Sequence, residues 1–362
     1  MTKKVNPKLL KEIKKYGAFD ISACFNCGNC SAVCPLSKEE LSFPRVMIRH
    51  AQIGDKQSIL SSLEPWICYY CGECSSTCPR DASPGEFMMS LRRYLISEYD
   101  ITGISKIFYR FPYIQNIFVI FIFAIALITF LKFNGDFGSL AAKIELVFPF
   151  YITLYIISYL FIMYKKTILD RLKKFVVSLN PSNIKNMIVH GFTQKNFIAC
   201  SEKDYVRWFS HLLVMSGYIL TLIISNLHIL EPLKKQYLLF TPLSVLIYYS
   251  SLSLIAGGSV MIFRRLFKKG QSSKFSHSTD WLFVIMLFLI GLSLFLTYTS
   301  NIVFGADSNL LEIIYKINIA IEISWILIVV PFTKWIHMFF RPFAIYLNGL
   351  KKENSQIIVE EI

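Results

Sequence analysis

Two runs of cysteine constrain this chain more than anything else in it. The first reads Cys24-Phe25-Asn26-Cys27-Gly28-Asn29-Cys30-Ser31-Ala32-Val33-Cys34-Pro35, and the pattern returns as Cys68-Tyr69-Tyr70-Cys71-Gly72-Glu73-Cys74-Ser75-Ser76-Thr77-Cys78-Pro79. Both have the form CxxCGxCxxxCP. Three thiolates at that spacing wrap one face of a cubane iron–sulfur cluster, the proline turns the chain away, and the fourth cysteine ligates the other cluster. The runs therefore predict one 4Fe–4S cluster on Cys24, Cys27, Cys30 and Cys78, and a second on Cys68, Cys71, Cys74 and Cys34.

Two other uses of cysteine fit less well. A disulfide framework suits a small secreted domain, but Lys3, Lys4, Lys8, Lys11, Lys14 and Lys15 precede the cysteines and no secretory leader is expected. A zinc site takes two CxxC pairs per metal and calls for neither the third cysteine nor the proline. Eight of the nine cysteines belong to the two runs, which places that domain in a reducing compartment. The ninth, Cys200, reads as a small apolar filler.

Helical signals surround the runs. A short helix is expected over Pro7 to Tyr16, and two more between Phe43 and Leu63, broken at Gly54. Ser83-Pro84-Gly85-Glu86 has the form of a capping box with proline at the first helical position, so a helix should follow over Glu86 to Tyr99. Such a domain is small, and two metal clusters supplement its core. The paired runs, joined by Phe43-Pro44-Arg45-Val46 and Gly54 and followed by Pro84-Gly85-Glu86 and Leu91-Arg92-Arg93, resemble the C-subunit family of heterodisulfide reductases over about Phe19 to Tyr99. The resemblance implies a helical ferredoxin that exchanges electrons with a flavoprotein.

Beyond Tyr113 the composition changes. The whole chain is 54% hydrophobic and only 17% charged, too few charges for a soluble protein. Six apolar stretches can cross a hydrocarbon core of about 30 Å: approximately Tyr113–Phe133, Leu146–Tyr164, Tyr205–Leu230, Phe240–Phe263, Trp281–Ser300 and Ile314–Trp335. Net charge is +14, but the basic residues flank apolar runs, as at a membrane surface, and form no stripe for nucleic acid. Lysines and arginines concentrate over residues 165–174, 185–203 and 264–274 and in the tail. The positive-inside bias then puts both termini and the cluster domain in the cytoplasm, as a multi-pass protein of the cytoplasmic membrane. The expected architecture is all-α: a cytoplasmic helical ferredoxin domain (1–105), a six-span bundle (106–347) and a cytoplasmic tail (348–362). Residues 181–197, in the long loop, suit an amphipathic helix along the interface.

Three of the six histidines touch spans, where an ionisable residue is a functional hypothesis by default. His211 near the start of the third span and His337 near the end of the sixth share one depth, as bis-histidine haem ligation in a helix bundle requires. His228 stands about 25 Å further along the third span, at ~1.5 Å per residue, with no histidine opposite. His50 reads as a surface residue, and His190 and His277 as solvated loop residues. Val330-Pro331-Phe332-Thr333-Lys334-Trp335-Ile336-His337-Met338 resembles the last span of the respiratory nitrate reductase gamma family, and Arg207-Trp208-Phe209-Ser210-His211 its first haem-bearing span. That family binds two haems b with four histidines. Its outer-haem positions fall here near Thr221 and Asn318 or Ile319, so the resemblance implies one inner haem b.

The fusion of these two halves resembles the membrane subunit family of quinone-interacting membrane-bound oxidoreductase complexes. That resemblance implies a component of a quinone-linked oxidoreductase, cytoplasmic flavoprotein partners similar to the A-subunit of heterodisulfide reductase, and a quinone substrate, usually menaquinone. Glu322 and His228 are candidates for quinone proton transfer in the outer half, against an inner quinone site near the haem. Basic faces around Arg92, Arg93, Lys106 and Arg110 are expected to hold the cluster domain to the lipid headgroups. Two other classes compete: a membrane-tethered redox sensor without quinone chemistry, and a transporter, which would require inverted repeats and interrupted spans.

Overall fold

The computed structural model describes residues 5–37, 42–169, 180–194, 204–226 and 232–360, and every regular element among them is helical. The cysteine domain is built from short helices: α1 (Leu9–Ile13), α2 (Asn29–Ala32), α3 (Arg45–Ile53), α4 (Lys56–Leu60), α5 (Glu64–Ile67), α6 (Glu73–Ser76) and the longer α7 (Pro84–Tyr99). Gly54 ends α3 at φ +78°, and a side chain there would overlap the carbonyl of Asn6. Asp55 restarts the helix by accepting a hydrogen bond from the Ser58 amide at 3.0 Å.

The sequence repeat is a structural repeat. Asn26 and Tyr70, one residue before the second cysteine of each run, both have positive φ, as do Gly28 and Gly72, which open α2 and α6. Glycine takes that conformation freely; tyrosine does so at a cost. The expected capping box does not form. Ser83 itself is left-handed and makes no side-chain cap, and Glu86 turns inward to accept from Tyr70 Oη at 2.9 Å and Arg93 Nη1 at 3.0 Å. A buried guanidinium outcompetes a backbone amide for the carboxylate.

The membrane half continues through α8 (Ile104–Arg110), α9 (Pro112–Leu131), α10 (Phe137–Tyr164, prolonged by a π turn to Leu169), α11 (Pro181–Thr193), α12 (Tyr205–Asn226), α13 (Pro242–Leu266), α14 (Gln271–Lys274), α15 (Ser278–Phe304), α16 (Asn309–Ser324, carried by a π turn into α17, Val330–Phe332) and α18 (His337–Glu360). Among the described residues six helices are long and apolar enough to cross a membrane, matching the six expected stretches. Small residues let α12, α13 and α15 approach. A Cβ at Gly257 would lie 2.8 Å from the Ser210 carbonyl oxygen, and one at Gly291 3.0 Å from that of Ser251.

Two boundaries differ from expectation. The sixth span ends at Phe332, and Thr333 is extended at φ −130°, ψ −163°. The break at Thr333 leaves carbonyls without helical partners, and they are captured locally: Tyr159 Oη donates to the Pro331 carbonyl at 2.9 Å, and Thr333 Oγ1 to that of Val329 at 2.6 Å. His337 therefore opens a new helix rather than closing a span. That helix, α18, runs through residue 348 without a break. Helix α11 occupies the expected amphipathic stretch and packs on α18, with Gly191 facing Pro342 and Gly349 facing Asn183.

The two halves share a core. Every residue of α7 from Pro84 to Ser97 is buried, and the ring of Phe340 on α18 meets Trp66 at 4.6 Å, Tyr99 at 5.7 Å and Tyr159 at 5.7 Å.

Candidate functional site

The eight cysteines of the two runs gather as crossed sets. Cys30 lies within electrostatic reach of Cys24, Cys27 and Cys78. Cys34 lies near Cys68 and Cys71, and Cys74 near all three. A cavity between the runs is lined by Cys34, Cys68, Cys71 and Cys74, with Pro35 and Gly72. Among the described residues no three His, Cys, Asp or Glu side chains are drawn tightly enough to hold one metal ion. The thiols of the second set instead surround a space, as ligands to the corners of a larger cluster would. Burial pushes the Cys30 and Cys34 thiols up to about 11, and neighbouring cysteines add to the rise. Thiolates in that setting need bound metal to stay deprotonated. Each set holds one buried thiol, Cys30 and Cys68, but only the first opens to solvent, through Cys27.

His211 on α12 and His337 at the start of α18 face each other with ring centroids 6.4 Å apart. Two metal–nitrogen bonds of about 2 Å, plus half an imidazole at either end, span about that distance. His337 directs Nδ1 to the Lys334 carbonyl, which leaves Nε2 for a metal and fixes the ring. Both histidines line a cavity of about 310 Å3, within the range of cofactor pockets. Its apolar wall includes Val214, Leu287 and Met261, and its polar wall is basic. Arg265 Nη1 is buried there without a hydrogen-bond partner among the described residues. An apolar ring system with acidic substituents and an iron centre answers all three features.

Tyr69 and Tyr70 line both cavities. Arg207, four residues before His211, donates to the carbonyls of Tyr70 at 2.7 Å and Tyr69 at 3.1 Å. The Arg341 guanidinium lies 3.7 Å from the centre of the Tyr69 ring. Arg92 donates to the carbonyls of Pro65, at 2.5 Å, and Cys68. Arg93 donates to Tyr16 O, Glu86 and, at 2.6 Å, Asp280 of α15, while Lys334 completes the pairing 3.6 Å from Asp280.

Arg92 and Arg93 are thus buried and internally paired, not a basic face at lipid headgroups. Their partners lie far away in sequence, so the Leu91-Arg92-Arg93 string carries no sign of them. His190 lines the larger cavity rather than facing solvent. His277 caps α15, its Nδ1 accepting from the Thr279 amide at 3.3 Å. The outer-haem positions are filled structurally: Thr221 bonds to its own helix, Asn318 donates to Ser293 at 2.9 Å, and Ile319 is core.

His228 and Cys200 lie outside the described residues. Glu322 meets a partner that the sequence suggests for a turn: Glu145, buried on α10 within electrostatic reach and accepting from Tyr315 Oη at 3.3 Å. Glu145 directly precedes an apolar run, the one signal that could have put it inside a span.

Known proteins agree with the first half of this picture. Residues 20–82 match the 4Fe-4S dicluster domain family. The chain is 30% identical over 94 residues to a protein of Archaeoglobus profundus described as similar to the C-subunit of heterodisulfide reductase, covering 26% of this chain and 50% of that protein. It is 27% identical over 160 residues to the E-subunit of dihydromethanophenazine:CoB–CoM heterodisulfide reductase from Methanosarcina thermophila, covering 41% of this chain and 60% of that one. The matches thus span between half and three fifths of these relatives' length. No solved structure matches the chain.

Proposed function

We propose that this multi-pass membrane protein is the electron-transfer subunit of a quinone-linked oxidoreductase, joining a soluble flavoprotein or iron–sulfur partner to the quinone pool. One observation carries the reading. The His211–His337 pair faces a cavity that shares its Tyr69–Tyr70 wall with the second cysteine set. Two 4Fe–4S clusters and a haem b would supply one-electron chemistry at these places. Cys24, Cys27, Cys30 and Cys78 would hold the first cluster, Cys34, Cys68, Cys71 and Cys74 the second, and His211 and His337 the haem. The chain's own residues keep these sites in order: Arg207 and Arg341 clamp the tyrosines, the His337 tautomer is set by Lys334 O, and the buried α7 lines both cavities. Cytoplasmic placement of the cysteine domain follows from the loop charges.

The direct test is a reduced-minus-oxidised spectrum of the purified chain with haem and iron determined per polypeptide. A low-spin b-type spectrum at one haem per chain is the expected result. Clusters without haem would sink this reading and leave the tethered redox sensor.

The crossed ligand sets make a sharper demand. Cys78→Ser should disturb the cluster held by Cys24, Cys27 and Cys30, although Cys74 is its nearest cysteine in sequence. Paramagnetic resonance that shows only the other cluster altered contradicts the assignment.

The quinone is placed at the cluster-side end, beside the histidine pair. Glu145 and Glu322 then serve structure, as a carboxylate pair tied to Tyr315. Glu145→Gln and Glu322→Gln should each retain quinol oxidation within about twofold, since the amide keeps the shape and hydrogen bonding of the acid. Loss of turnover in both, with normal haem spectra, would move the quinone site to the opposite end of the bundle.

A further inference from the structure

The two cysteine sets stand in unlike electrostatic surroundings. Around the second set, Arg92 donates to the carbonyl of Cys68, Arg207 to those of Tyr69 and Tyr70, and Arg341 covers the Tyr69 ring. Arg92 is buried, and a guanidinium carries its charge throughout the neutral range. The Tyr70 amide also points at Cys68 Sγ, 3.4 Å away. Around the first set, Cys27 meets solvent, and the cation beside it, Arg45 near Gly28, is exposed.

We infer that the chain imposes a potential gradient, with the cluster on Cys34, Cys68, Cys71 and Cys74 the more easily reduced of the two. The inference rests on the cluster reading above and adds a direction to it. Reduction adds one negative charge to a cluster. Burial alone disfavours that charge, but each set holds one buried thiol, Cys30 in the first and Cys68 in the second, so desolvation does not set the order. Cations inside the same low-dielectric wall oppose desolvation strongly, whereas a cation in water is screened. Three guanidiniums and an amide–sulfur contact surround the buried cluster. The carboxylates nearby do little to cancel them: Glu86 is tied to Arg93, and Glu73 is partly exposed. An electron given to the solvent-facing cluster by a one-electron reductant protein at Cys27 would therefore settle on the cluster beside the membrane cavity.

The experiment is a paramagnetic-resonance redox titration of the purified full chain. The Cys78→Ser variant identifies which signal belongs to which set. In the unaltered protein the second-set signal should appear first as the potential is lowered. Arg207→Gln should cut its reduction equilibrium at least tenfold, about 59 mV for a one-electron couple, and move the first-set signal less. Coincident or reversed midpoints in the unaltered protein overturn the gradient whether or not the variant folds, and so does an unmoved second-set midpoint in a folded Arg207→Gln chain. Two signals in the wrong order remove only the gradient; the absence of both signals removes the cluster reading with it.

Discussion

His337→Ala should abolish the low-spin haem spectrum outright while both iron–sulfur signals persist. The imidazole occupies a position that few side chains could fill. It opens α18 one tight turn after the extended Thr333, its Nδ1 is committed to the Lys334 carbonyl, and its ring faces His211 at 6.4 Å. Bis-histidine coordination fails when either ring is lost, so His211→Ala should give the same result. His190 lines the same cavity, and His190→Ala is the control, because on the proposed reading His211 and His337 would hold the iron without it. His277→Ala should cost only a helix cap, about 0.5–2 kcal/mol. An unchanged low-spin spectrum in His337→Ala would show that the iron is held elsewhere.

The second large effect is on stability. Asp280→Ala should destabilise the protein by about 3–5 kcal/mol, since it leaves the buried Arg93 beside the half-buried Lys334 without their shared counter-charge. Arg93 keeps Glu86 and the Tyr16 carbonyl, but Lys334 loses its ion pair. Thermal unfolding in detergent measures this, with Lys56→Ala as the comparison. The Lys56–Glu98 pair is equally close at 2.6 Å but is partly exposed, so its loss should cost under about 1 kcal/mol. Equal losses in the two variants would mean that the Arg93–Asp280 contact does not join the halves.

Much of this could be read from residue order because the relevant chemistry is local. A CxxCGxCxxxCP run carries its own loop geometry, down to the paired glycines at 28 and 72. Apolar length alone located six spans, and Gly54 marked the break between α3 and α4. The rest depends on contacts between distant segments. Arg92 and Arg93 look like surface cations until Pro65, Cys68 and Asp280 are brought to them. Glu145 looks like a loop residue until α10 begins at Phe137. His211 and His337 do face each other, although the unbroken sixth span that suggested their shared depth does not exist. Thr333 interrupts the helix, and Tyr159 and the Thr333 hydroxyl capture the freed carbonyls. Those partners could not be inferred from the sequence around Pro331.

The shared core around α7 also bears on biogenesis. The cysteine domain leaves the ribosome before the membrane half, yet the ring that closes over Trp66 and Tyr99 comes from Phe340, some 240 residues or more further along. Until the last span is inserted and α18 folds back, an aromatic face of the nascent domain stays uncovered, and such faces aggregate or recruit chaperones. Metal loading of the second cysteine set would be easiest in that interval, because α12 and α18 later close on Tyr69 and Tyr70 through Arg207 and Arg341. On the proposed cluster reading, cofactor delivery and membrane insertion would thereby be coupled in time. Truncation before α18 should yield a chain that inserts but accumulates poorly, for want of a lid on its own first domain.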